Sequence, residues 1–114
     1  MNSHDPPTNA QRIRVLNDNF RTTFLGGQVV MTAGVAALPL DEKAQVLLKV
    51  QSFKDFNADN DPHQEHDFGS FELAGETYFF KVDYYSPDMQ SGSEDPADPK
   101  ETTRVLTIMR ADEY

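Results

Sequence analysis

Apolar positions recur at helical spacing early in the chain and at alternate positions late in it. From Ala10 onward, Ile13, Leu16, Phe20 and Phe24 fall at intervals of three, four and four, while Arg12, Arg14, Asn17 and Arg21 lie off that stripe. This predicts an amphipathic helix that Gly26-Gly27 ends. "QVVMT" (28–32) is short and rich in valine and reads as a buried strand. "AGVAALP" then crosses over to Pro39, which suits the approach to a second helix. In that helix Asp41 and Glu42 sit near the N-terminal end of the dipole, where carboxylates are favoured. Val46, Leu47, Val50 and Phe53 supply its apolar side, and Lys49 and Lys54 lie near its C-terminal end.

The period then changes to two. "FGSFEL" (68–73) and "TYFFKVDYY" (77–85) flank "AGE" and predict a β-hairpin. In its second strand Tyr78, Phe80, Val82 and Tyr84 point one way, and Thr77, Phe79, Lys81, Asp83 and Tyr85 the other. A long, acidic, proline-rich loop (86–101) is expected to be flexible, and "TTRVLTIMR" (102–110) reads as a central strand. Residues 1–9 read as a disordered terminus and 10–114 as a single domain. The order helix–strand–helix–strand–strand–strand predicts an α+β two-layer sandwich, with two helices on one face of a mostly antiparallel four-stranded sheet.

Charge sharpens the picture. The net charge of −9 is unevenly spread: residues 1–54 hold six Lys/Arg and four Asp/Glu, and residues 55–114 hold four and fifteen. A negative surface gains nothing from counterion release at nucleic acid or at an anionic membrane, so neither is expected as a direct partner. A basic protein is. No stretch approaches the roughly 20 apolar residues of a membrane span. With no cysteine and no apolar leader, the chain reads as cytoplasmic.

The densest polar run is "FNADNDPHQEHDFG" (56–69). Asp55, Asn57, Asp59 and Asp61 alternate like the oxygen ligands of a calcium loop, but Asn60 stands where the turn needs glycine and His66 where a bidentate glutamate belongs. His63 and His66, with Glu65 and Asp67, would serve a transition metal only on a helix, which Pro62 opposes. No metal or other cofactor is therefore assigned. For acid–base chemistry, a hairpin turning at Ala74-Gly75 would bring His66 opposite Asp83, a carboxylate orienting an imidazole. Arg104 and Lys81 could hold an anion, or Arg104 could bridge to the acidic loop. No nucleophile is signalled.

"RIRVLNDNFR", "GGQVVMTAGVAALP", "DNDPHQEHDFGSFEL", "FFKVDYY" and "DPADPKETTRVLTIM" closely resemble the bacterial domain-of-unknown-function family 3768, over about residues 11 to 114. The resemblance implies a complete single-domain protein of a kind frequent on plasmids and other mobile regions. It brings no assigned activity, so no catalytic or binding residue carries over.

Two functions follow. One is an acidic interaction module that engages a basic surface through residues 55–67 and 86–101, with Asp59, Asp61, Glu65, Asp67, Glu94, Asp95 and Asp98 as the contact set. Its sharpest form is a DNA mimic acting as a mobile-element inhibitor, because carboxylates two apart on an extended strand lie about 6.8 Å apart, comparable to phosphates. The other is a small metal-binding protein or enzyme that uses Glu65, His66, Asp67 and Asp83, with His66 and Asp83 as its acid–base pair.

Overall fold

The computed structural model describes residues 5–114. Helix α1 (Asn9–Thr23) starts earlier than expected, because Thr8 and Gln11 form a reciprocal capping box. Thr8 thus caps the helix and Asn9 begins it, while residues 1–4 of the expected disordered terminus lie outside the described residues. Phe24, in the left-handed region at φ 61°, closes α1 with its N–H on the Phe20 carbonyl, ahead of the glycine pair. Strand β1 (Gln28–Met31), a short helix α2 (Ala33–Ala36) and helix α3 (Leu40–Ser52) follow. The hairpin β2 (Phe68–Leu73) and β3 (Glu76–Tyr85), strand β4 (Thr103–Arg110) and a 3₁₀ turn (Ala111–Glu113) complete the chain.

The sheet order is β1-β4-β3-β2. Both β3 pairings are antiparallel and β1 runs parallel to β4, so the sheet is mixed. This is the expected α+β fold, with β4 central and one short helix more than the pattern showed. The hairpin register is also as read. Ala74 and Gly75 both take positive φ (53° and 81°), as a two-residue type I′ turn requires, and Glu72 faces Thr77, Ser70 faces Phe79 and Phe68 faces Lys81.

Phe20, Val35, Val46 and Val50 from the helices pack on Tyr78, Phe80, Val82, Leu106 and Ile108 from the sheet, forming one core on one face. Burying such side chains contributes about 1.5–3 kcal/mol each. Gly69 belongs to this packing, because a Cβ there would run into the Phe80 ring and lie 2.9 Å from Phe53. The other face carries Phe68, Phe79 and Tyr114 in mutual aromatic contact.

Two expectations fail. β1 is an exposed edge strand, since a four-residue strand at the end of the sheet has a neighbour on one side only. And Asn17 and Arg21 are buried, so the inward face of α1 runs Ile13, Asn17, Phe20 and Arg21. At the C-terminus, the Glu113 carboxylate accepts from the Thr32 hydroxyl, the Gly34 N–H and the Arg110 N–H. These donors, led by Thr32, hold Glu113 below its ordinary pKa and tie the end of the chain to the start of α2.

Candidate functional site

Two asparagines and an aspartate shape the segment after α3. The Asn57 side-chain oxygen accepts from the N–H groups of Asp59 and Asn60, and that of Asn60 accepts from Asn57 N–H. Such side-chain-to-backbone bonds make compact turns from sequences that cannot form a ladder. The next turn closes on Asp61, which is only 5% exposed and accepts from both Glu65 N–H and His66 N–H at 3.0 Å. Gln64 and His66 adopt positive φ (59° and 55°), which turns the chain before β2 begins.

That turn places His66 on the helical side of the sheet. Its ring stacks on Phe56 with centroids 3.8 Å apart and planes 4° from parallel. Nδ1 lies 2.9 Å from an Asp18 carboxylate oxygen, and Nε2 lies 3.6 Å from Asp61 Oδ2. The Asp18 carboxylate also accepts from Arg21 at 3.0 Å. Arg21 in turn donates to the carbonyls of Val50 and Phe53, satisfying the end of α3, and its guanidinium lies over the Phe56 ring. Arg14, Phe56, Asn57, Asp61, Gln64 and His66 line a recess of about 430 Å³ beside this ring.

A second buried group adjoins it. Asn17 donates to the Glu65 carbonyl (3.0 Å) and the Tyr84 hydroxyl (2.8 Å), and it accepts from Arg104 Nε (2.8 Å). The Tyr84 hydroxyl donates to the Glu65 carboxylate at 2.8 Å. Arg104 also donates to the Pro96 carbonyl and lies over the Tyr84 ring. Burial drives the Tyr84 hydroxyl well above its ordinary pKa, with the Glu65 acceptor adding to the effect. Burial likewise lowers Arg104 and raises Asp67, whose half-buried carboxyl also faces Glu65 and Asp61.

The structure breaks up several expected groupings. His66 and Asp83 are not a pair: the turn through Gln64 and His66 carries the imidazole to the helix face, while Asp83 points to the open face and meets Lys81 at 3.2 Å. Arg104 and Lys81 also lie on opposite faces, and among the described residues Arg104 has no carboxylate within ion-pair distance. The calcium-like alternation does not converge, because Asn57 and Asp61 spend their oxygens on backbone N–H groups. His63 is exposed, and no group of three or more His, Cys, Asp or Glu among the described residues could hold a metal.

The remaining contact candidates divide by role. Asp59 and Glu94 are exposed, while Asp95 and Asp98 accept from Ala97 N–H and Lys100 N–H. The 86–101 loop is thus a chain of hydrogen-bonded turns, closed by a bridge between Tyr85 and Gly92 and by Ser93 on Thr102. Sequence reasoning missed Asn17, Asp18, Arg21 and Tyr84. The one signal for Asn17 and Arg21 was their spacing, four and eight residues after Ile13.

Residues 31–113 match the family described as "Protein of unknown function (DUF3768)". The chain belongs to that family. The matched span of this DUF3768 chain holds His66, Tyr84 and Arg104, whereas Asn17, Asp18 and Arg21 come from α1, outside it. No curated protein and no solved structure matches the chain.

Proposed function

We propose that this protein is a small acidic interaction module that binds a basic partner protein through the 55–67 and 86–101 segments. The observation that carries the reading is the Asn17–Arg104 pair. Asn17 holds the Glu65 carbonyl of one segment, and its partner Arg104 holds the Pro96 carbonyl of the other. Two acidic loops far apart in sequence are thereby fixed on one frame, which lowers the ordering cost of binding. Ser86, Asp88, Ser91, Glu94 and Glu101 line a recess of about 290 Å³ in the second loop, sized and charged for a lysine or arginine side chain. The partner is read as a cytoplasmic nucleic-acid-binding protein, and this chain, in its sharpest form, as a DNA mimic of the kind a bacterial mobile element carries as an inhibitor. Because the carboxylates sit in turns, the reading rests on the exposed ones, Asp59, Glu94 and Asp95, and neither on the buried Asp61 nor on an even phosphate-like spacing.

Among the described residues the carboxylates of Asp59, Glu94 and Glu101 accept no hydrogen bond, and the Ser93 hydroxyl reaches Glu101 through its backbone carbonyl, so all three can be neutralised with the fold intact. The wild-type chain, immobilised and washed with host lysate at low salt, should retain a basic protein that leaves as salt rises. The triple variant Asp59→Asn, Glu94→Gln, Glu101→Gln should lose it, and DNA should compete for the captured protein. Retention of nothing basic by the wild type, or equal retention by the variant, would sink the reading.

A second reading, of a small enzyme, is favoured by one arrangement: an imidazole oriented by Asp18, beside a recess that also holds Arg14 and Asp61. In it His66 is a general base for a water attacking an anionic substrate held by Arg14, with Asp18 in the place expected of Asp83. A hydrolytic activity lost in His66→Gln and kept in Asp83→Asn would support it, and the reverse pattern would remove it.

A further inference from the structure

The outer edge of β1 is guarded by its shortness alone. Natural edge strands are blunted by short length, charge, proline or a bulge, and Gln28–Met31, four residues long, has only the first of these. Val30 is 45% exposed and Met31 37%. The opposite edge, β2, carries Glu72 and follows directly on Asp67. Residues 25–40, "LGGQVVMTAGVAALPL", hold no charged side chain at all, in a chain of net charge −9.

The direction of the free backbone groups can be worked out. Met31 lies opposite Ile108, and Thr32 donates its N–H to the Ile108 carbonyl at 3.0 Å. In a parallel ladder alternate residues bond the same neighbour. Gln28, Val30 and Thr32 therefore turn their backbone groups to β4, and Val29 and Met31 turn theirs to the open edge. An antiparallel strand centred on Val30 would exchange four hydrogen bonds with those two residues.

We propose that this edge pairs with β1 of a second copy of the chain, making a twofold dimer with a continuous eight-stranded sheet. In this register Val29 faces Met31 of the second copy and the reverse, while Val30 meets its own counterpart on the axis, on the open face. The twofold axis stands perpendicular to the sheet, so both helical layers lie on the same side. Charge selects the occupant. A basic partner gains nothing from an uncharged strand, whereas a like-charged copy meets least repulsion there. The dimer also covers the exposed valine and methionine that the monomer leaves in water.

The chain has no cysteine, so a single introduced one reports the contact. On the axis the two Val30 Cα atoms form a non-hydrogen-bonded pair about 4.5 Å apart, within the span of a disulfide. Light scattering of the wild-type chain should give twice the 12.9 kDa chain mass. Val30→Lys, which places two like charges on the axis, should give the monomer mass. So should Met31→Pro, whose lost N–H faces the open edge and not β4. Under mild oxidation Val30→Cys should form a covalent dimer, and Val15→Cys, exposed on α1, should not. A wild-type monomer at every concentration overturns the proposal, including one whose edge captures only a foreign extended peptide. A dimer untouched by Val30→Lys, or equal cross-linking of both cysteine variants, overturns it too.

Discussion

In the 55–67 segment the Asp61 carboxylate is turned inward, onto the N–H groups of Glu65 and His66. In the 86–101 segment those of Asp88, Asp95 and Asp98 cap turns at the surface. Each segment holds five carboxylates, so composition does not separate them. What separates them is the neighbouring surface. The first segment lies along α1, where Asn17, Asp18 and Arg14 offer it donors and an acceptor. The second is anchored through Arg104 on Pro96, through Ser93 and Thr102, and through the Ser93 N–H on the Tyr84 carbonyl beside the Tyr85–Gly92 bridge, with its remaining hydrogen bonds internal. An acidic stretch is an interior element where a helix supplies polar partners, and a solvated one where it must supply its own.

The comparison breaks most completely at the residues both segments share. Arg104→Met leaves Asn17 Oδ1 and the Pro96 carbonyl without their donor, and each such buried group costs about 1–3 kcal/mol. Urea unfolding should show a loss of about 3 kcal/mol, with faster amide exchange in both segments. A loss confined to one segment would contradict the common frame. Asp61→Ala should cost less, about 2 kcal/mol, because two N–H groups lose one acceptor. Its exchange signature should be confined to residues 57–67, leaving 86–101 as protected as before.

Acid should separate the segments by sign. Burial raises Asp67 above its ordinary 3.8, so the folded chain holds that proton more tightly than the unfolded one. The associated stability is fully present below the unfolded value and is lost as pH rises through the folded one. Asp88 is lowered by the Ser86 hydroxyl and the Gln90 N–H, so its contribution is present above the ordinary value and is lost as pH falls through the depressed one. Acidification from neutrality should first tighten the Asp67 turn and then, below about 3.8, loosen the Asp88 turn. Residue-resolved amide exchange across that range checks both arms, and Asp67→Asn or Asp88→Asn should flatten one arm each. The smallest effect belongs to Glu94→Gln, which should stay within about 0.5 kcal/mol of wild type in the same unfolding experiment.

The hairpin was readable because its turn residues and its alternation specify one register, and a slip by one residue would put Phe80 and Val82 in water. The centrality of β4 was readable from its unbroken β-rich run. The inner face of α1 was not, because apolar periodicity counts only apolar side chains, and this helix buries an asparagine and an arginine whose partners lie far along the chain. The His66–Asp83 expectation extended the β2 ladder two residues too far. Nothing local announces the positive φ of Gln64 and His66, since it is imposed by the Asp61 carboxylate gathering two N–H groups. Asp18 could not be found from the segment it serves, because it stands 48 positions away.

The central place of β4 also fixes when the molecule can come together. β1 and β3 each pair with a strand made after both of them, so until residues 103–110 leave the ribosome β1 has no neighbour and the hairpin no second partner. Closing the long span between β1 and β4 is entropically slow and comes last. During synthesis the uncharged 25–40 stretch therefore waits without cover, and the chain depends on its acidic segments to keep nascent copies apart.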